Sequence, residues 1–436
     1  MRRSERTDLF DELGTGYVIA KPPRAKRTAL GPYALGALQP ARVFEPKEPA
    51  EVAATLHAAA AKGEAVVVHG GGTLQRASNA PSRYDVALST KRLDALYDYD
   101  PRDLTAGAGA GMTLAVLART LAEHGQFLPL DAPLASKATL GGTLAAGWAG
   151  PRRAAYGRPR DLLIGATLAL ADGTLAKTGG MVVKNVTGYD MGKLYVGSHG
   201  TLGVIVRANF KILPAPQTRR LAIAPFDEDE RERAIAHAGA LLLEPSALFM
   251  IDGFREALST TRPRLIALLE GSEHLVDRAT RELRSALGAA GVAETRLLDG
   301  DDAARAFQAV LDAYVATDSD ASVTFLSRGL PSDAGARAQR VRASIPGAET
   351  IADLRTGDVV VRVREIADPD GDIQPVSGID RTVRDLLGRA TVLAAGPGAR
   401  ADAWGDPPST LPTMRALKTA FDPHDVLAPG RFVGGI

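Results

Sequence analysis

The sequence predicts a mixed α+β protein of two dissimilar regions, and three observations carry that expectation. Strand-like runs and helical patterns alternate at short spacing from residue 41 to about 215. Within that stretch, TLGVIVRANFKIL (201–213) alternates apolar Val204, Val206 and Ala208 with polar Arg207 and Asn209, which suits a half-buried antiparallel strand. From residue 216 the texture changes to separate apolar runs divided by amphipathic helices. These patterns argue against a doubly wound parallel sheet.

The elements follow in order. ARVFEP (41–46) reads as a short strand, and Pro49 opens a helix through residue 62 with Val52, Leu56 and Ala60 on one face. Gly63 stops that helix, and AVVVH (65–69) is a buried strand running into a glycine turn. A second unit starts near Leu104 with TAGAGAG, followed by a helix from Thr113 to His124 that Gly125 closes. LLIGATLAL (162–170) is a strand, and Asp172–Gly173 a turn. Pro214 and Pro216 make LPAPQTRR (213–220) an extended linker. The charge run DEDERER (227–233) reads as a solvated helix face.

Beyond it come strand RLIALLE (264–270), a helix at 273–289 with apolar Leu275, Ala279, Leu283 and Leu287, and strand AETRLL (293–298). A helix at 301–314, strand SVTFLS (322–327), a helix at 333–344, strand DVVVRV (358–363), a helix at 379–388 and strand RATVLA (389–394) complete a ferredoxin-like α+β layer. The expected organisation is an N-terminal extension (1–40), a first domain (41–215, in subdomains 41–100 and 101–215), a cap domain (216–395) and a C-terminal tail (396–436) that packs back on the first domain.

Composition narrows the function. The 436 residues are 45% apolar and 24% charged, the balance of a globular protein rather than a disordered one. Lys and Arg (52) nearly cancel Asp and Glu (51), so no net field draws nucleic acid or anionic lipid. Without any cysteine the chain offers no disulfide, thiolate nucleophile or cluster ligand. The seven histidines are His57, His69, His124, His199, His237, His274 and His424, and none forms an H-E-x-x-H pattern, so no metal site is expected. MRRSERTDLF has no apolar stretch behind it, and no window is long and apolar enough to cross a bilayer. A cytoplasmic protein is expected, peripheral to a membrane only through partners.

The chemistry falls to the 45 glycines. HGGGTLQ follows a buried strand, where residues lacking a β-carbon let several N–H groups converge on one point, a nest able to hold a pyrophosphate without lysine. It is no Walker loop, for G-K-[ST] is missing. GAGAG (107–111) fails the dinucleotide fingerprint because Met112 takes the third glycine position, and Pro397 spoils GPGARA (396–401).

Two longer stretches, ATLGGTLAAGWAGPRRAAYGRPRD (138–161) and GGMVVKNVTGYDMGKLYVGSHGTLGVI (179–205), carry a family resemblance. They resemble the PCMH-type flavin-binding domain of the vanillyl-alcohol-oxidase family, in which two α+β subdomains grip FAD. HGGGT resembles that family's pyrophosphate loop, FLPLDAP (127–133) the segment before T-x-G-G, and AFDPHDVLAPGRF (420–432) its C-terminal tail. The match covers about 41–215 and 403–436, with five motifs in order. GPRR, RD, KNVTGYD and WGDPP together are most similar to the E-type FAD-binding subunits of bacterial glycolate oxidase (glycolate dehydrogenase).

The resemblance implies a site, residue by residue. His69, Gly70, Gly71, Gly72, Thr73 and Leu74 would cradle the pyrophosphate. Pro129, Leu130 and Asp131 would line the flavin side, and Thr139, Gly141 and Gly142 would add N–H groups to the phosphates. Ala146, Gly147, Ala149 and Gly150 would pass close to the cofactor, and Gly200, Thr201, Gly203, Val204 and Ile205 would close over adenosine and ribityl. Lys184, Asn185, Tyr189 and Asp190 form either a helix start or a flavin-proximal group, where a cation could stabilise reduced flavin. Thr73 stands where covalent members have histidine, so non-covalent FAD is implied, and Ala428 replaces the usual asparagine of the tail.

Catalytic relatives acting on 2-hydroxy acids carry a histidine-rich segment near the flavin, whereas no histidine lies between residues 275 and 423 here. Arg389, Arg362 and Tyr314 are the remaining candidates, and nothing singles them out. The implied protein is therefore an FAD-binding subunit working beside a catalytic flavoprotein of the same fold and an Fe–S subunit on a small 2-hydroxy acid such as glycolate. The alternatives are a self-sufficient alcohol or 2-hydroxy acid dehydrogenase, or a structural subunit with an FAD-type fold.

Overall fold

The computed structural model describes residues 31–182, 189–255, 262–316, 322–364, 376–396 and 402–436. Strand β1 (Arg42–Phe44) leads into helix α1 (Pro49–Lys62), which has proline at its first turn and ends on Gly63 at φ +67°. Strand β2 (Val66–His69) and β3 (Val86–Ser89) follow, and β3 inserts between the other two to give a parallel sheet ordered β1-β3-β2. The expected β-α-β unit is present, with a central strand that the sequence reading passed over.

The next sheet is antiparallel. It contains β4 (Leu96–Asp100) and β5 (Thr105–Gly109), after which come α2 (Leu114–Ala122), the short β6 (Gln126–Phe127) and α3 (Leu140–Ala146). Strands β7 (Leu163–Ala169), β8 (Leu175–Gly179) and β9 (Val204–Lys211) complete the order β4-β5-β9-β7-β8. TAGAG is thus a fully buried strand, and Gly107 is glycine because a β-carbon there would meet the Tyr97 ring at 2.7 Å. Residues 201–203 form a turn, so β9 is shorter than the 201–213 run suggested.

The expected linker is also shorter. β10 (Leu213–Pro214) pairs with β6, and β11 (Thr218–Pro225) opens the third sheet. This sheet adds α4 (Arg231–Gly239), β12 (Ala247–Asp252), β13 (Arg264–Gly271), α5 (Glu273–Ala289), β14 (Arg296–Asp299) and α6 (Gly300–Ala313). It ends with β15 (Val323–Ser327), α7 (Ala334–Ser344), β16 (Glu349–Asp353), β17 (Val359–Val363), α8 (Val376–Leu387) and β18 (Ala390–Ala395). Its order is β14-β11-β13-β12-β16-β17-β15-β18, with antiparallel neighbours throughout.

Side-chain alternation gives this sheet two buried faces. Leu221, Ile223, Phe249, Ile251, Ile266 and Leu268 join Phe307 and Val310 of α6 in a core continuous with that of the second sheet. Ala222, Leu248, Met250 and Leu265 pack on the opposite side with Leu283 and Leu287 of α5 and Val341 of α7. DEDERER departs from a solvated face at one position. Arg231 is 1% exposed and paired with Asp252 at 2.7 Å.

The chain closes with α9 (Leu411–Phe421) and an irregular tail. Val66 donates its N–H to Val426, and Ala428 donates to Val66, so the tail lies along β2. Buried Lys418 donates to Asp422 and to the carbonyls of Thr201 and Leu427, tying α9 to the turn before β9. Ala428 sits at φ +46°, a conformation asparagine tolerates better than alanine.

Candidate functional site

Three chain segments meet between the parallel and antiparallel sheets. The first is the loop after β2, the second α3 with its preceding turn, and the third the turn 197–203. Their junction is a cleft lined by Gly70–Gln75, Thr139, Gly141, Gly142, Ala146, Gly200, Gly203, Val204 and Ile205, among others. Fifteen of the residues that the resemblance assigned to FAD thereby come together here or in the adjoining chamber (Gly70, Gly71, Gly72, Thr73, Leu74, Thr139, Gly141, Gly142, Ala146, Gly147, Ala149, Gly200, Gly203, Val204 and Ile205).

The backbone N–H groups of Gly70, Gly71, Gly72, Thr73 and Leu74 have no acceptor among the described residues. They are available to an anion. Only Gly72 takes a positive φ (+79°), and its absent β-carbon faces open space. Gly70 and Gly71 answer a different need, because β-carbons there would strike the Thr139 side chain and the Lys137 carbonyl. The second loop also departs from expectation. The Gly141 N–H donates to the Ala110 carbonyl at 2.8 Å and the Gly142 N–H to Thr139 Oγ1 at 3.2 Å, so neither is offered to a phosphate.

Other assigned residues stand behind the walls. His69 is 4% exposed, with Nε2 2.6 Å from the Tyr84 hydroxyl, which itself donates to the Tyr33 carbonyl. Burial, then Arg431 and Lys91, push its imidazole down to about 3, so it is a neutral structural group. Pro129, Leu130 and Asp131 lie off the cleft. The Asp131 carboxylate accepts from the Arg152 backbone N–H at 2.9 Å and from Arg152 Nε at 2.7 Å. Gly150 is glycine because a β-carbon would collide with that of Asp131. Thr201 is buried, its hydroxyl bonded to the Ser198 carbonyl at 2.7 Å. Lys184 and Asn185 lie outside the described residues, while Tyr189 is 91% exposed and Asp190 pairs with Lys193.

Past Leu74, Ala146 and His199 the cleft opens into a chamber of about 410 Å³, walled by Gly147, Trp148 and Ala149 on one side and by Leu326, Thr391 and Leu393 on the other. Its charged lining residues are Arg153, Arg158, Arg160 and Arg328. Arg153 is paired with Asp358 at 2.8 Å, and the other three form no ion pair among the described residues. The three base candidates lie elsewhere. Tyr314 is buried against Trp148 with its phenol pushed far up by burial, Arg362 binds Glu349, and Arg389 is exposed.

The sequence reading missed His199 and Arg431. His199 has φ +53°, holds Ser78 Oγ at 2.8 Å and packs edge-on against Trp404; burial, then Arg431, push it down to about 3. Arg431, within the quoted tail motif, lines the cleft and donates to the Gln75 carbonyl at 2.7 Å. Among the described residues no carboxylate lines the cleft and Arg431 is its one cation. Free N–H groups, that cation and glycine walls fit a dinucleotide pyrophosphate.

Residues 40–192 match the family described as FAD binding domain, which defines the class as FAD-binding flavoproteins. Glycolate oxidase subunit GlcE of Escherichia coli (strain K12) is 31% identical over 340 residues, covering 77% of this chain and 84% of that protein. The chain belongs to the PCMH-type flavoprotein family of that subunit. Glycolate oxidase subunit GlcD of Bacillus subtilis (strain 168) is 29% identical across 49% of this chain and 46% of its own length, so the chain spans about half of that relative. Among solved structures, p-cresol methylhydroxylase with substrate bound superposes with a TM-score of 0.70 over 92% of both chains at 17% identity, a likeness of fold. No helix among the described residues is long and apolar enough to cross a membrane.

Proposed function

We propose that the protein is the FAD-binding subunit of a glycolate oxidase-like complex, holding one FAD non-covalently and passing electrons between a 2-hydroxy acid and partner subunits. The observation that carries this reading is the cleft, with five free N–H groups, no carboxylate among the described residues and Arg431 as a lining cation. The loop Gly70–Leu74 would hold the pyrophosphate, with Gly200 and Val204 closing on the nucleotide side. The bound flavin would supply the acceptor for a hydride from the carbinol carbon.

The chain's own residues define what it can add. Arg158, Arg160 and Arg328 give the chamber a cationic mouth suited to a carboxylate. His199 is the one histidine on its wall, and it is neutral, buried and engaged with Ser78. Among the described residues no carboxylate lines the chamber to take the hydroxyl proton. That lack favours a subunit whose chemistry depends on a catalytic flavoprotein partner, and the absence of cysteine assigns any Fe–S cluster to another chain.

Two measurements on the purified chain test the reading. Acid precipitation should release intact FAD into the supernatant, since Thr73 replaces the covalent histidine; yellow protein pellets would refute non-covalent binding. Dye-linked oxidation of glycolate or lactate should be feeble alone and rise on adding partner subunits, because a missing positioned base costs about 10²–10⁴ in rate. Flavin reduction at tens per second in the isolated chain would favour the self-sufficient dehydrogenase.

A further inference from the structure

We propose that Arg431, delivered by the C-terminal tail, is the counter-charge for the phosphates of the bound nucleotide, so that the tail forms part of the cofactor site rather than a cover over it. This inference rests on the FAD reading above.

Other buried arginine side chains in this protein each meet two or more acceptors. Arg152 is held by Asp131 and Glu270, and Arg231 by Asp252 and Glu228. Arg337, 4% exposed and without a carboxylate in contact, instead donates to three acceptors, the carbonyls of Gly357 and Leu387 and the Ser327 hydroxyl. Arg431 is equally buried, at 4% exposure, yet has one acceptor, the Gln75 carbonyl. A guanidinium carries five N–H donors, and burying one without an anion is costly.

Among the described residues the surroundings offer no anion: His69 and His199, the titratable groups on either side, are held neutral, and no Asp or Glu lines the cleft. Burial accordingly pulls the guanidinium down to about 10, with only the nearby Tyr84 acting the other way. The position is nonetheless tightly built. The Arg431 carbonyl accepts from the Asn79 N–H and from Trp404 Nε1, and Phe432 stacks into the cluster of His199 and Trp404. A rigid backbone thus presents an under-used cation to the same cleft as five unused N–H groups, and the complementary ligand is a phosphate or pyrophosphate.

The geometry also separates binding from folding. With no anion present the cation burdens the fold, so a neutral residue of similar length should leave the flavin-free protein as stable or more so, while weakening the phosphorylated ligand. We would prepare flavin-free wild type, Arg431→Gln and Arg431→Lys, and titrate each with FAD, ADP and riboflavin by fluorescence and calorimetry, alongside thermal melts without ligand. Arg431→Gln should lower FAD and ADP affinity about 10- to 100-fold, Arg431→Lys less, and riboflavin affinity should stay unchanged. Melting of the flavin-free variants should not fall. Unchanged ADP affinity in Arg431→Gln would overturn the proposal. So would equal loss of ADP and riboflavin with a lower melting temperature, the pattern of a purely structural strap. Wild-type protein that binds neither FAD nor ADP would instead overturn the cofactor reading itself.

Discussion

The backbones of Gly71 and Lys137 approach so closely that a β-carbon on Gly71 would run into the Lys137 carbonyl oxygen. The loop after β2 is thereby seated directly on the turn before α3, which is how two sheets of different type come to share one cleft. Gly72, its neighbour, is glycine for another reason, a φ of +79° with open space where a side chain would point.

That difference separates two variants. Gly71→Ala should destabilise the flavin-free protein by about 1–3 kcal/mol, the cost of overpacking a close contact. Gly72→Ala should cost about 1 kcal/mol of backbone strain, yet weaken FAD binding because its methyl group enters the cleft. Thermal melts of the flavin-free variants and FAD titrations check the pair. A Gly71→Ala protein as stable as wild type would remove the loop-seating role.

A second prediction concerns the bridge between the third sheet and the chamber wall. Glu270 on β13, its side chain wholly buried, accepts from Arg152 at 3.1 Å, Arg219 at 2.8 Å and Tyr156 at 3.1 Å. Burial pushes its carboxyl up, but Arg152 and Arg219 outweigh that and hold it below the ordinary range. Glu270→Gln should cost about 1.5–3 kcal/mol in urea unfolding, since Arg152 keeps Asp131 but loses a buried charge-assisted partner. Arg152→Met should cost more, because it also leaves the buried Asp131 carboxylate without its cation, and the double variant should cost less than the sum of the two. Strict additivity of the two would show that they do not act as a pair.

Glycine spacing is a local signal, and it marked the turn at Gly70–Gly72 as a candidate anion nest; the segments around Gly141 and Gly200 were reached only through the family resemblance. Most helices of the third sheet were legible from their periodicity. What escaped was non-local. β3, β12 and β16 are buried strands fixed by pairing with partners distant in sequence. Asp131 looked flavin-facing because a motif does not reveal that Arg152 claims its carboxylate. Arg431 belongs to the tail motif, but only the return of the tail along β2 brings it to the cleft.

The last prediction is a pH dependence. His69 and His199 are both held near 3 in the fold, by burial first and by Arg431 second, against about 6.5 for a free imidazole. The unfolded chain therefore takes up protons below pH 6.5 that the folded chain refuses until about pH 3. Stability contributed by the neutral histidines is fully present above pH 6.5 and falls as the pH drops through that window, by up to about 1.4 kcal/mol per pH unit for each histidine. Asp353 works in the opposite sense, because burial raises it to about 6 and the folded state holds its proton between there and the ordinary carboxylate range. Comparing variants cancels that contribution. His199→Gln keeps a polar group beside Ser78 but cannot titrate, so urea unfolding at pH 7, 6 and 5 should give a stability curve flatter than wild type by about one proton's slope. Parallel curves for the two proteins would mean that His199 is protonated as readily in the fold as outside it.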